Sequence, residues 1–342
     1  VFPARSILAV GPRHGRGQAA SAMPVDHREG VVHADQLHRA NPPSMRQARD
    51  PFRLLILSVL LLLFVYLLPP LYNLLLSLQD LDLFEMTAVG GGKFIGLRNY
   101  VELIKDPVLY KVFLNTWIWL TAVTVVLRII LGFALAVLVD ADALRRWHLT
   151  GLARTLLFLP WAVPPVVAVT IWKWMLNSQY GVVNLLLLDA GLVESGINFL
   201  VNPNPYITWW SIILPIVWKE TPFAAIVYLA GLQSIPQELY EIAQIDGAGR
   251  LAIFRYITIP LMRPITLILT FMLTIWTFNN FVYVWLTTRG GPADLTHVMG
   301  TMVFYQSFVE YRLGYGATFG VFMVALMAIF AVIYLKFIFK RA

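Results

Sequence analysis

The chain has 342 residues, of which 58% are hydrophobic and only 13% charged, and its mean hydropathy is +0.70. Soluble proteins carry about 45–50% apolar and about 25% charged residues, so this composition excludes an ordinary soluble domain and indicates a polytopic membrane protein. Cysteine is absent, which excludes disulfides and thiolate metal sites. The net charge of +7 reports membrane topology here rather than nucleic-acid binding.

Three regions follow one another along the chain. Residues 1–50 are rich in Arg, Gly, His and Pro and lack apolar periodicity, which predicts a disordered cytoplasmic N-terminal extension. Residues 51–110 are expected to hold the first transmembrane helix and an external amphipathic segment. Residues 111–342 are expected to form the main transmembrane domain, with a polar loop at 234–263.

A helix needs about 20 apolar residues to cross a bilayer, and the sequence offers six such segments. It therefore predicts an all-α membrane protein with six transmembrane helices. The predicted spans are Leu54–Leu78, Val112–Val139, Leu152–Leu176, Ile207–Leu232, Pro264–Leu286 and Tyr315–Phe339.

The distribution of basic residues predicts the orientation of these spans. Of the 26 Lys and Arg residues, 17 fall on one side, six on the other and three inside spans. Because cytoplasmic loops carry the excess of positive charge, both termini and the loop at 234–263 are predicted to be cytoplasmic.

Two external segments are also interpreted from their composition. Leu81–Lys111 is predicted to form a short amphipathic helix that lies at the membrane interface through Tyr100, Leu103 and Ile104. Asn177–Tyr206, which contains an Asn-Pro-Asn-Pro turn, is expected to be mostly loop.

The loop at 234–263 has the signals of a helix, a glycine break and a second helix. Ser234 can cap a helix and Pro236 suits its first turn; the helix would run to about Asp246, where Gly247 breaks it. A second short helix is predicted at Leu251–Tyr256. The prolines that follow are expected to end this second helix before the fifth span.

Such a loop has two interpretations. Its small residues would let a partner protein approach the backbone closely, which favours a docking surface. The alternative is an ordinary solvated connector, although thirty residues exceed what a connector needs.

The sequence of this loop resembles the EAA signature of binding-protein-dependent ABC-importer permeases. The likeness rests on Glu241–Ala248 (EIAQIDGA) and Ile257–Pro260 (ITIP), with Ile242 where the family has alanine and Ile259 where it usually has leucine. Further segments are similar to the carbohydrate-uptake, MalF-like branch, and the likeness runs from about Phe94 to the C-terminus. These segments are Phe158–Pro164, Leu232–Pro236, Phe278–Phe281 and Gly290–Pro292.

This resemblance implies a MetI-like permease bundle in a bacterial inner membrane that imports a sugar, such as a di- or oligosaccharide of the maltose or trehalose type. It also implies four kinds of partner: a second homologous permease in a heterodimer, two ATP-binding subunits, an extracytoplasmic sugar-binding protein or lipoprotein, and the lipid bilayer. The residues implied to couple the chain to the ATPase are Glu241, Ala243, Asp246, Gly247 and Ala248.

The chain itself is not expected to be an enzyme or to hold a cofactor. Lys93 follows three glycines but precedes Phe94, so the phosphate-binding loop pattern is absent. The six histidines show no metal-ligand spacing. ATP and Mg²⁺ are therefore expected on the partner ATPase.

Lys219 and Glu220 are two adjacent charges in the middle of the fourth span. A charge at that depth costs about 2.5–3.5 kcal/mol, which makes both residues functional candidates. Neighbours on a helix project about 100° apart and are not expected to pair, so at least one needs another partner. The alternative is a structural ion pair or snorkelling. The family resemblance places these two residues, together with Trp218 and Phe223, beside the sugar site.

In the fifth span, Trp276, Thr277, Asn280 and Tyr283 share one helical face if the helix is continuous. Aromatic rings stack on sugars while amides and hydroxyls bond their hydroxyl groups, so this face suits a carbohydrate site. The resemblance places the first three of these residues in the pocket. The alternative is hydrogen bonding between helices, worth about 0.6 kcal/mol each.

Arg128, in the second span, has no evident mate and is expected to pair with Glu220 or to face the partner permease. Two other functions stay open. An importer of glycerol 3-phosphate or its diesters would use Lys219 or Arg128 on an anionic cargo, and a proton-coupled secondary transporter would use Glu220 as its proton site.

Overall fold

The computed structural model describes residues 49–82, 84, 91–141, 144 and 146–339, so the predicted N-terminal extension lies outside the described residues up to position 48. The chain divides into two compact units, with the boundary between Leu63 and Phe64. Within the described residues the first unit consists of helix α1, Arg49–Leu62, and one residue beyond it.

The second unit is helical except for one short antiparallel pair of strands in its described part, in which Gln79 faces Phe94. Five-residue or longer π-helical turns interrupt several helices, at Leu63–Leu67, Asn115–Val123, Phe254–Thr258 and Tyr305–Val309. The remaining elements in chain order are α2 (Leu68–Ser77), β1 (Gln79–Asp80), β2 (Lys93–Phe94), α3 (Arg98–Lys105), α4 (Pro107–Leu114), α5 (Thr124–Asp140), α6 (Thr150–Ala162), α7 (Pro165–Met175), α8 (Val182–Asp189), α9 (Pro205–Gln233), α10 (Gln237–Ile245), α11 (Arg250–Ile253), α12 (Ile259–Phe278), α13 (Val282–Thr287), α14 (Met299–Phe304) and α15 (Leu313–Phe339).

Among the described residues, five helical segments are long and apolar enough to cross a membrane, and a sixth candidate is the bent pair α6–α7. The prediction of an all-α protein with six spans is thereby confirmed. The five straight candidates are Leu55–Ser77, Pro107–Asp140, Pro205–Gln233, Arg250–Phe278 and Leu313–Ile338.

The third span bends by 92° between α6 and α7. Val163 and Pro164 both precede a proline, and a residue before proline is pushed out of the helical region by the pyrrolidine ring. Both adopt extended ψ values, 129° and 140°. The bend therefore follows directly from the Pro164-Pro165 pair.

Helix α9 is the centre of the bundle, because 67% of its most apolar stretch is buried, whereas none of the other four single-helix candidates exceeds 33%. It packs against α5, α6, α7, α12 and α13. The contact with α5 is close at Gly132, where an added Cβ would lie 2.7 Å from the Cβ of Ala224. Small residues on both helices thus allow the two backbones to approach.

Both predicted ends of the fifth span are wrong. The fifth span runs from Arg250 to Phe278. It begins earlier than predicted because Pro260 and Pro264 lie within this continuous helical segment and do not end the predicted short helix at Leu251–Tyr256. The π-helical turn directly before Pro260 shifts the hydrogen-bond register where proline has no N–H to donate. The segment Asn177–Tyr206 is mostly loop, as predicted, and contains the short helix α8.

Candidate substrate site and coupling loop

A charged network lies inside the bundle where α5, α9, α12 and α13 meet. The Glu220 carboxylate accepts hydrogen bonds from Lys219 Nζ at 3.2 Å and from the Tyr283 hydroxyl at 3.0 Å. Arg128 Nη2 lies 3.9 Å from the other carboxylate oxygen, and its Nη1 donates to Thr277 Oγ1 at 2.8 Å. The carboxylate thus connects α9 with α5 and α13, and Arg128 extends the network to α12.

The network agrees with one expectation and corrects another. Arg128 pairs with Glu220, which was one of its two predicted partners. Lys219 also contacts Glu220, although adjacent residues were not expected to pair. The long lysine side chain can fold back along the helix, so the angle between the two Cβ directions does not keep the charged ends apart.

The cations of this network are well buried, and the carboxylate is the more accessible group. Arg128 and Lys219 are 2% and 6% exposed, whereas the Glu220 side chain is 19% exposed. Arg128 Nε has no hydrogen-bond partner among the described residues. Two cations against one anion leave the network with a formal charge of +1.

Helix α9 carries two aromatic side chains within three residues of Glu220, and α12 carries another next to Thr277. Phe223 lies 5.1 Å from the ring of Trp276 and stacks on Trp161 at 6.5 Å. Trp218 makes an edge contact with Trp172 at 6.2 Å. Trp218 and Trp276 both keep more than a third of their surface exposed. They therefore leave apolar ring surface accessible on the two helices that carry Glu220 and Thr277.

The predicted face of the fifth span is broken in the structure. Helix α12 ends at Phe278, and Asn279 and Asn280 form the turn that leads to α13. Asn280 and Tyr283 therefore do not share a helical face with Trp276. The sequence shows no proline or glycine at this turn, but the Asn279 side chain donates to the Ile275 carbonyl at 2.7 Å, which helps to end the helix.

The polar network brings together four of the predicted pocket residues, Lys219, Glu220, Thr277 and Tyr283, with Arg128. Tyr283 reaches Glu220 from α13, and Thr277 reaches Arg128 from α12. Trp161 on α6 and Trp172 on α7, which contact Phe223 and Trp218, were not predicted as site residues. Trp161 could have been found, because it belongs to the Phe158–Pro164 segment that resembles the carbohydrate permeases.

The polar loop consists of helix α10 and a tight turn. Gly247 has φ of +81°, and its N–H bonds the Gln244 carbonyl at 3.0 Å. The N–H of Ala248 bonds the Ala243 carbonyl at 2.9 Å, which completes a Schellman motif. Among the predicted coupling residues Glu241, Asp246 and Gly247 are exposed, and the two alanines are half-buried.

The start of α10 differs from the prediction. Ser234 does not cap it, because its hydroxyl donates to the Gly231 carbonyl at 2.7 Å at the end of α9. Pro236 occupies the position before the helix, and Glu238 lies in its first turn, where the helix dipole favours an acidic side chain.

A cavity of about 1290 Å³ separates α10 from the adjoining ends of α5 and α9. Its lining includes Gln233, Tyr240 and Arg250, and the Tyr240 hydroxyl lies 3.4 Å from Thr258 Oγ1 on the opposite side. The loop therefore projects from the bundle with an exposed outer face instead of packing tightly on the spans.

A bundle of membrane-spanning helices with an exposed helix–turn loop and a polar cluster inside it has the features expected of an ABC transport permease. Comparison with known proteins supports this class. Residues 128–342 match the family model described as binding-protein-dependent transport system inner membrane component.

Two curated relatives resemble most of the chain. The sulfoquinovosyl glycerol transport system permease protein SmoG of Agrobacterium fabrum is 34% identical over 75% of this chain and 80% of its own length. The trehalose/maltose transport system permease protein MalF of Thermococcus litoralis is 33% identical over 74% and 82%.

A solved structure shares the fold. A chain in the crystal structure of a bacterial ABC transporter involved in the import of alginate superposes with a TM-score of 0.71, at 21% identity, over 86% of this chain and 97% of that one. The chain belongs to the family of binding-protein-dependent transport system inner membrane components. It is a membrane permease subunit, and such subunits are not themselves enzymes.

Proposed function

We propose that the chain is the permease through which a sugar, such as a di- or oligosaccharide of the maltose or trehalose type, enters the cytoplasm by alternating access. The observation that carries the proposal is the partly exposed Glu220 carboxylate on α9, a helix that also carries Trp218 and Phe223, with the Phe223 ring 5.1 Å from that of Trp276 on α12. Sugars need this combination of apolar stacking surface and hydrogen-bond acceptor. The two curated relatives carry names that refer to glycosides.

The roles of the individual residues follow from their contacts. The exposed tryptophans would stack on sugar rings, and the Glu220 carboxylate would accept hydrogen bonds from sugar hydroxyls. Arg128 and Lys219 would hold that carboxylate in a fixed direction. Tyr283 would orient it through the hydroxyl bond from α13.

Replacing Trp276 by alanine tests the cargo site. Trp276→Ala should reduce the uptake of radiolabelled trehalose or maltose by a reconstituted transporter, because it removes a ring that is proposed to stack on the sugar. This ring lies 5.1 Å from that of Phe223. Trp174→Ala is the matched control, since Trp174 is 69% exposed on α7. Equal uptake by the two variants would show that Trp276 only packs.

The transport cycle requires partners that this chain does not contain. We propose a heterodimer with a second homologous permease, two ATP-binding subunits that hold ATP and Mg²⁺, and a sugar-binding protein or lipoprotein outside the membrane. The exposed residues Glu241, Asp246 and Gly247 would contact an ATP-binding subunit, with Ala243 and Ala248 allowing close approach. This arrangement requires the loop to be cytoplasmic, as the positive-inside rule predicts.

Charge reversal on α10 tests the coupling role. Glu241→Lys should lower both uptake and substrate-stimulated ATP hydrolysis while leaving membrane insertion intact, because Glu241 is exposed and makes the helix surface acidic. Glu194→Lys, at an exposed site in the segment after α8, is the control. Normal uptake by the Glu241→Lys variant would contradict the proposed coupling role of α10.

An anionic cargo such as glycerol 3-phosphate or its diesters is the second candidate, and the formal charge of +1 in the network favours it. Competition experiments decide between the two cargoes. Excess glycerol 3-phosphate should inhibit uptake if the site binds an anionic cargo and should leave sugar uptake unchanged if it binds a neutral sugar. The proton-coupled alternative has less support, since Glu220 already binds three neighbours. It predicts uptake that stops with an uncoupler while ATP persists.

A further inference from the structure

Helix α3 presents three different sectors around its axis. At 100° per residue, Leu97, Val101 and Ile104 fall within about 60° of one another, and they are 66%, 49% and 57% exposed. The next sector is polar and exposed. The third sector, with Asn99 and Leu103, is buried in the protein. An exposed apolar stripe beside a charged one is the pattern of a helix that lies along a membrane surface.

The buried sector attaches α3 to the ends of the first and last spans. The Asn99 amide donates to the carbonyl of Ser77 at 3.1 Å, at the end of α2. From the exposed polar sector, Glu102 adds an ion pair with Arg312, directly before α15, at 2.5 Å. Leu103 is fully buried in the same cluster as residues of α15. The position of α3 is therefore fixed by the bundle.

The apolar stripe continues into the second span. Tyr110, Leu114 and Ile118 are exposed at spacings of four residues along the start of the Pro107–Asp140 span. The Tyr110 hydroxyl donates to the carbonyl of Ile104 at 3.1 Å, so it connects the stripe on α3 with the stripe on the span. A tyrosine at this position suits the boundary between headgroups and acyl chains.

We infer that α3 is a lipid anchor, whose stripe of Leu97, Val101 and Ile104 inserts into the headgroup boundary of the bilayer. Such helices bury their apolar side by about 5–10 Å. Arg98 and Lys105, in the adjacent exposed sector, lie where they can meet lipid phosphates. The anchor holds the joined ends of the first and last spans at a fixed depth. This corrects the predicted contact set, because Leu103 packs in the protein and Tyr100 bonds Ser77.

Spin labels can measure the depth of each position, since the native chain has no cysteine. Single cysteines at Leu97, Val101 and Ile104, with Arg98 and Lys105 as controls, would be labelled in the complete transporter in nanodiscs of phosphatidylethanolamine and phosphatidylglycerol. Relaxation by molecular oxygen and by a water-soluble nickel chelate reports lipid and water exposure respectively. The oxygen-to-nickel ratio should be severalfold higher at the three apolar positions.

Two results would overturn the lipid anchor. Similar ratios at all five positions would place the stripe in water. Protection from both reagents at the apolar positions would show that a protein partner covers them instead. Because three positions report independently, a single variant that fails to assemble leaves the conclusion testable with the other two.

Discussion

Glu220 interacts with Arg128 on α5, with Tyr283 on α13 and with Lys219 on its own helix, α9. Without this carboxylate, Arg128 and Lys219 would be two buried cations with no counter-charge among the described residues. Removing one partner of a buried ion pair typically costs about 3–5 kcal/mol, because the remaining charge loses both water and its mate. The residue thus serves the proposed sugar site and the stability of the bundle together.

Substitution of Glu220 should therefore lower the stability of the permease. Glu220→Ala is expected to reduce the free energy of unfolding by about 3–5 kcal/mol. Glu220→Gln should cost less, because it retains an acceptor for the Tyr283 hydroxyl. Thermal unfolding followed by tryptophan fluorescence measures the difference, with Glu194→Ala as an exposed control. A Glu220→Ala variant as stable as the native chain would contradict the claim that this carboxylate stabilises the bundle.

At the scale of elements, the end of α10 depends on one backbone conformation. Gly247 adopts φ of +81° and has no atom within 4 Å of the place where a Cβ would stand. A side chain would therefore fit in space, but an L residue pays about 1–2 kcal/mol in the left-handed region. Gly249, two residues later, has an ordinary φ of −70° and is equally open.

The two glycines provide a matched pair of variants. Gly247→Ala should weaken the Schellman turn and raise the amide exchange rates of residues 247 and 248 on the order of tenfold, since about 1.4 kcal/mol corresponds to a factor of ten. Gly249→Ala should leave those rates unchanged. If the rates respond equally to both substitutions, backbone conformation is not what holds the turn.

At the scale of the whole molecule, the bundle is organised around the contact between α5 and α9. Gly132 lies where a Cβ would be 2.7 Å from the Cβ of Ala224 and 3.1 Å from the backbone nitrogen of Ala225. The two helices could accept a larger side chain only by moving apart. That movement would disturb the packing of α9, which contacts most of the other spans.

Alanine substitutions at Gly132 and Gly151 should consequently have different effects on the stability of the fold. Gly132→Ala should destabilise the fold by about 1–3 kcal/mol through overpacking. Gly151→Ala, in α6, meets open space and should be neutral or stabilise by up to about 1 kcal/mol through helix propensity. Thermal unfolding of both variants checks the prediction. A neutral Gly132→Ala would show that the helices have room at this contact.

Much of the fold could be predicted because membrane spans are encoded locally. Runs of apolar residues predict the six spans, and the Pro164-Pro165 pair explains the bend between α6 and α7. The end of the fifth helix at Phe278 could not be predicted, because no proline or glycine marks it. The continuous helix through Pro260 was also missed, since prolines are tolerated when neighbouring structure compensates for their missing donor.

The sequence by itself determined the class of protein, the number of spans and the identity of the loop with its glycine turn, because hydropathy and short motifs depend on neighbours along the chain. Only the tertiary structure decided which side chains meet. Arg128, Glu220 and Tyr283 are brought together from α5, α9 and α13, and the break after Phe278 redirects Tyr283 toward Glu220. Contacts between distant segments depend on how helices pack, and the spacing of residues within one helix carries no information about that packing.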